Sequence, residues 1–174
     1  KYSNANYCSD RKYFFITGTS IELFGKYILN LNQTKTKCLE TFPYYTEEFT
    51  DEFDDKIVGE QICRSSLIKE DIIGFQNRFS VTKNNNSYFL DVISGYIEKE
   101  GFTYNNFYAT YLYGPLFIRN PYLTDYFIKK ILESNNKSFK ENKNTFEYKA
   151  YHEYINNFVK RSPWVRLLFS YYFI

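Results

Sequence analysis

Residues 87–113, Ser-Tyr-Phe-Leu-Asp-Val-Ile-Ser-Gly-Tyr-Ile-Glu-Lys-Glu-Gly-Phe-Thr-Tyr-Asn-Asn-Phe-Tyr-Ala-Thr-Tyr-Leu-Tyr, separate a mixed fold from a mostly helical one. Aromatic and β-branched residues crowd 87–97 and 102–113, and Glu98-Lys99-Glu100-Gly101 between them has the composition of a turn, so strands are the expectation. The alternation of apolar and polar side chains is imperfect, and tyrosines at this density also suit a helix. A mostly α fold is therefore the alternative. A further strand at 78–82, before the turn Lys83-Asn84-Asn85-Asn86, would make the centre of the chain antiparallel β.

Towards the N-terminus, 12–17 (Lys-Tyr-Phe-Phe-Ile-Thr) and 26–32 (Lys-Tyr-Ile-Leu-Asn-Leu-Asn) read as strands punctuated by Gly18-Thr19-Ser20 and Gly25, which predicts a hairpin or meander. Between Thr46 and Val58 the period changes. Phe49, Phe53 and Ile57 recur every four residues, Thr46 can act as an N-cap, and acids fill the first turns where the helix dipole favours them. This predicts an acidic amphipathic helix ending near Gly59. Ser65 or Ser66 would cap a second, short helix with Ile68, Ile72 and Phe75 on one face.

Two helices are expected towards the C-terminus. Asn120 and Pro121 supply an N-cap and an N1 proline, followed by a stripe of Leu123, Phe127 and Ile131. The second helix runs from about Thr145 to Arg161 with Tyr148, Tyr151, Ile155 and Phe158 on one face, and Pro163 lies beyond it. Joined by the polar segment Asn135–Asn144, they would pack as an antiparallel pair against the sheet. The expected fold is thus α+β, with N-terminal and central antiparallel strands and a C-terminal antiparallel helix pair, in a single globular domain over 1–174. The tail Trp164–Ile174 is the most apolar stretch and reads as a core strand or a docked terminal segment. No run of about 18 apolar residues occurs, so no membrane span is expected.

Composition limits what can be read as chemistry. Lys, Asn, Phe, Tyr and Ile make up 85 of 174 residues, against 20 for Ala, Gly, Arg and Pro. The first group is written in A/T-rich codons, so much of the aromatic and Asn content reflects an AT-rich genome. Its 18 Phe and 19 Tyr also imply a core dominated by aromatic packing. The net charge of +2 is unevenly spread: residues 1–39 carry six positive and two negative groups, 40–60 eight acids against Lys56, 61–118 five of each, and 119–174 ten positive and five negative. Such a chain lacks the strong basic excess of phosphate-neutralising proteins. Pairs such as Lys12-Tyr13 and Lys149-Ala150-Tyr151 could stack nucleic-acid bases, but the core accounts for these aromatics better, and nucleic acid is the minor reading.

Candidate site residues are few. The cysteines are Cys8, Cys38 and Cys63, too sparse for a zinc cluster. Cys38 with Cys63 is the disulfide candidate, a bridge that would add about 2–4 kcal/mol; three reduced thiols are the alternative. Sequons at Asn32, Asn85 and Asn136 are glycosylation candidates. The single histidine, His152, has Tyr148, Lys149, Ile155 and Asn156 as helical neighbours, none a typical metal ligand, so packing or a surface hydrogen bond is its expected role. Glu47, Glu48, Asp51, Glu52, Asp54 and Asp55 lack the calcium-loop pattern and are candidate docking charges for a basic partner. No phosphate loop, dinucleotide fingerprint, nucleophile elbow or zincin motif occurs. Neither cofactor nor metal is expected.

The chain starts at Lys1 and contains no Met, which fits removal of a leader peptide. The expected function is a non-enzymatic, secreted interaction or effector-type protein that engages a protein partner through an aromatic surface and its acidic helix. The alternative is a structural subunit of a large organellar assembly, a mitochondrial ribosome or respiratory complex.

Overall fold

The structure, a computed structural model, describes residues 12–49 and 56–171, with side chains as far as Phe158. It is α+β, built from three sheets and a helical face. In the first sheet β1 (Phe14–Thr17) runs parallel to β11 (Phe107–Thr110), which pairs antiparallel with β10 (Phe102–Tyr104). The second has the order β3 (Lys35–Lys37), β2 (Tyr27–Leu29), β4 (Tyr45–Glu48), β7 (Ser80–Lys83). The third runs β6 (Ile72–Arg78), β5 (Ile57–Arg64), β8 (Leu90–Ser94), β9 (Lys99–Glu100). A 3₁₀ helix spans Gly18–Phe24, and the helices are α1 (Leu116–Arg119), α2 (Pro121–Ser134) and α3 (Phe146–Tyr171).

The segment 87–113 holds strands β8 to β11, with Lys99–Glu100 of the expected turn paired to β8 as β9, and its imperfect alternation has a physical reason. All four residues of β11 are buried, because the strand has core on both faces. Phe107 and Ala109 face one cluster, with Ile21, Phe42, Tyr44 and Phe102, while Tyr108 faces the other, with Cys63, Ile72, Phe89, Leu90 and Phe127. A period of two survives, but it separates two apolar surfaces instead of core from solvent. Strand β1 repeats the pattern, with Phe14 and Ile16 on one side and Phe15 on the other. Rings fill both layers: Phe42 lies 4.6 Å from Phe102 and from Phe107, and Phe127 lies 5.0 Å from Tyr108 and 5.2 Å from Phe15.

Four expectations are corrected. The hairpin between 12–17 and 26–32 is not made, since β1 and β2 belong to different sheets. The acidic helix is replaced at both described ends by strands: Thr46, expected as an N-cap, is fully buried in β4, and Ile57 opens β5. Parallel β2 on one side and antiparallel β7 on the other satisfy the β4 backbone, and that tertiary pairing outweighs a four-residue period. Ile72 and Phe75, expected on a short helix, lie in β6, paired along its length with β5. Pro163 does not end the last helix, whose backbone continues through part of the apolar tail to Tyr171. Among the described residues no helix is long and apolar enough to cross a membrane.

Candidate functional site

One buried side chain, Asn120, joins the helical face to the edge of the third sheet. Strand β6 is the edge of that sheet, and the buried Asn120 amide pairs with its open edge as a neighbouring strand would. It accepts from the Ile73 N–H at 2.7 Å and donates to the Ile73 carbonyl at 2.7 Å and to that of Leu116 at 2.7 Å. Asn120 was expected to cap α2, yet it makes no side-chain cap bond. Its burial in this role sets where α2 starts, and Pro121 follows at N1. Leu123 and Phe127 then point into the core, and Tyr122, Asp125, Tyr126 and Lys129 of the same helix line a cleft, with both tyrosines partly buried against core clusters.

Helix α3 is held by tyrosine hydroxyls three residues apart, each reaching a different element. Tyr148 donates to Asp125 of α2, Tyr151 to the Asp71 carbonyl at 2.7 Å, and Tyr154 to Glu60 of β5. Spacing of three keeps all three on one helical face. Arg119 completes the last contact, pairing with Glu60 at 2.8 Å and laying its guanidinium 4.8 Å from the centre of the Tyr154 ring. Burial acts to raise the Glu60 carboxyl, but the Tyr154 and Arg119 bonds outweigh it and hold the group below its ordinary range. Burial and the Glu60 bond push the Tyr154 hydroxyl up to about 12. Tyr122 meets Tyr148 and Tyr151 at steep angles, with ring centres 4.8 and 5.4 Å away, and its hydroxyl lies 3.0 Å from His152 Nε2.

Between α2, the 135–144 segment and the loop before β6 these residues leave a cleft of about 390 Å³. Tyr122, Tyr126, Phe139 and Ile68 give it apolar walls, and Glu70, Asp125, Glu141, Lys129 and Lys143 charge its rim. Asp125 and Tyr122 stand on the cleft wall, and each is bonded to a residue of α3 that does not line it, Asp125 to Tyr148 and Tyr122 to His152. Carboxylate and imidazole groups bonded to hydroxyls are residue types that general acid–base chemistry uses. Burial first, and then the Asp125 bond, raises the Tyr148 hydroxyl well above the usual phenol range, so it remains a donor to Asp125.

A second polar network lies inside. Glu100, fully buried, accepts from Thr110 Oγ1 and from the Tyr111 N–H at 2.9 Å; the half-buried Glu22 accepts from Ser80 Oγ. Between them the buried Arg78 lies 3.9 Å from the centre of the Tyr111 ring and donates to Gln76 at 3.1 Å. Burial is the main influence on both carboxyls and raises both. The network joins residues of all three sheets: Arg78 on β6, Glu100 on β9, Ser80 on β7 and Thr110 on β11.

The residues singled out from sequence are scattered. Cys38 and Cys63 are free. Their expected bridge is not formed, because Cys63 is buried in the core on β5 while Cys38 follows β3 in another sheet and donates to the Thr36 carbonyl. Asn85 is buried, binding the Gly101 carbonyl at 2.7 Å and the Ser87 N–H at 2.9 Å, which corrects its candidacy for a glycan. Asn32, in the turn before β3, and Asn136, after α2, are exposed. Glu47 pairs with Lys83 at 3.9 Å and Glu48 accepts from the Leu31 N–H, both on β4, while Asp51, Glu52, Asp54 and Asp55 lie outside the described residues. His152 makes the surface hydrogen bond expected of it. Among the described residues no cluster of three or more His, Cys, Asp or Glu is placed to hold a metal. Sequence reasoning missed Asp125, Tyr122, Tyr154 and Glu60 and took Tyr148 for part of an apolar stripe; the available signal was the spacing of three that links Tyr148, Tyr151 and Tyr154.

No family model matches the chain. It is 29% identical over 136 residues to the lipid II isoglutaminyl synthase (glutamine-hydrolyzing) subunit GatD of Staphylococcus aureus (strain N315), an overlap that covers 74% of this chain and 54% of that protein. The chain thus spans about half the length of the curated relative it matches. This corrects the expectation of a non-enzymatic protein: the similarity is to a subunit of a glutamine-hydrolysing enzyme.

Proposed function

We propose that the chain is a subunit of an enzyme assembly that hydrolyses glutamine, and that its working site is the tyrosine-lined cleft beside α2 and α3. The observation that carries the reading is the similarity to a subunit of a glutamine-hydrolysing synthase. The cleft supports it. Amide hydrolysis adds water to the carbonyl and breaks the C–N bond; it needs a base for the water's proton and an acid for the departing nitrogen. Asp125, on the cleft wall, and His152, bonded to the wall residue Tyr122, are the candidates for the two roles. Cys63 is a poor alternative nucleophile, since it has no exposed surface and burial raises its thiol far above the range where thiolate forms. A protein partner follows from the role of a subunit, and the exposed Ile118 and Phe146 beside a groove between α1 and α3 suit a contact surface.

The test is glutamate release from glutamine by the native assembly purified through this chain. Asp125→Asn and His152→Ala should each lower turnover by about tenfold or more, and Cys38→Ser should leave it unchanged. An assembly without turnover, or one indifferent to both cleft substitutions, overturns the reading.

A further inference from the structure

We propose that this cleft binds an organic ammonium group, and that Lys143 sits in it as a built-in occupant which the ligand displaces. The Lys143 ammonium lies 5.4 Å from the centre of the Tyr122 ring, within the range where a cation is attracted to an aromatic face. Glu141, two residues away, holds it at 3.0 Å, and Glu70 across the cleft adds to the negative field that raises its pKa, after the Glu141 bond. The lining carries three carboxylates, from Glu70, Asp125 and Glu141, against Lys129 and Lys143. Lys129 lies 3.9 Å from Glu133 on its own helix. Removing Lys143 therefore leaves aromatic walls ringed by three acids, a setting that repels anions and gives a neutral group no compensation for desolvating them.

Lys143 can leave. It belongs to a segment without regular structure, half of its side chain is exposed, and its ion pair is with a neighbour on the same segment. The space of about 390 Å³ accommodates the carbon chain bearing an amine. The α-ammonium of an amino acid and the side-chain ammonium of a lysine on a protein partner share this chemistry. The inference deepens the reading of the cleft as the working site, and equilibrium binding tests it so that the two can fail separately.

The experiment titrates the full chain, wild type and Lys143→Ala, with glycinamide, with Nα-acetyl-lysine methylamide and with the uncharged Nα-acetyl-norleucine methylamide, followed by amide NMR shifts. At least one amine should saturate, tightening about five- to tenfold in Lys143→Ala because the internal competitor is gone. The uncharged analogue should not saturate. In the Lys143→Ala background, Tyr122→Leu and Glu70→Gln should each weaken amine binding about fivefold; Glu70→Gln keeps the test open if Tyr122→Leu unfolds. Tighter binding of glycinamide identifies the α-ammonium as the source, and tighter binding of the lysine analogue identifies a side chain. Failure of both amines to saturate Lys143→Ala, or equal binding of the uncharged analogue, overturns the proposal. Amine binding without glutamine turnover removes the hydrolytic reading alone, and cleft-dependent turnover without amine binding removes this inference alone.

Discussion

The interior network around Arg78 and the network on the α3 face use the same parts, carboxylates bonded to hydroxyls beside an arginine stacked on a tyrosine, and they respond to pH in opposite directions. Inside, burial dominates, so Glu22 and Glu100 keep their protons to higher pH in the folded protein than in the unfolded chain. On the α3 face solvent lessens the penalty of ionisation, and donors from Tyr154 and Arg119 favour the carboxylate of Glu60. The same chemistry thus fastens sheets through raised carboxyls when sealed and fastens a helix through an ionised carboxylate when open. Which of the two roles a cluster plays is decided by its exposure more than by its residue types.

The largest effect that could break this comparison is expected at Arg78. Arg78→Leu leaves Glu22 and Glu100 without their buried cation and should lower unfolding free energy by about 3–5 kcal/mol in urea denaturation. A loss below about 1 kcal/mol would mean that the interior network does not hold the sheets. Asn120→Leu comes next: it strands the Ile73 N–H and carbonyl on a buried edge and should cost about 2–3 kcal/mol, together with disturbed NMR shifts across α2.

The pH dependence sharpens the contrast. For Glu22 and Glu100 the folded state binds more protons than the unfolded state once pH passes the ordinary value of 4.5, so their contribution to stability falls as pH rises through the window between 4.5 and the raised folded values. Glu100→Gln should flatten that fall. Glu60 has the reverse sign: its contribution is present above 4.5 and is lost as pH drops through the lowered folded value, and Glu60→Gln should remove that acid-side loss. Unfolding free energies measured from pH 3 to 8 on the two variants check both slopes. The smallest effect is expected for Arg119→Ala, under about 1 kcal/mol, because its ion pair with Glu60 is partly exposed.

Local signals in the sequence succeeded where a single element decides its own state. Pro121 at N1 with the buried Leu123 and Phe127 marks α2, although Asn120 does not cap it and Ile131 of the expected stripe is exposed, and the Tyr-rich segment 102–113 gives β10 and β11. They failed where distant partners decide. Strand β1 needs β11 beside it, far along the chain, and β4 needs both β2 and β7, so neither pairing is visible in a local window. The site was hidden for a related reason. Tyr148 and Tyr151 read as part of an apolar face with Ile155 and Phe158, Tyr154 was not singled out, and the groups that bond the three hydroxyls, Asp125, Asp71 and Glu60, come from three separate elements. His152 was judged against neighbours on its own helix, whereas its partner Tyr122 comes from α2.

The most direct test of this division of labour is Tyr122→Phe in the native assembly, with glutamine turnover and thermal midpoint measured on the same sample. The substitution removes one hydroxyl bonded to His152 at an exposed position and keeps the ring. Turnover should fall about tenfold or more, while the midpoint moves by less than about 4 °C, the shift that roughly 1 kcal/mol produces in a chain of this size. Unchanged turnover, or a loss matched by unfolding, would contradict the assignment of function to the cleft.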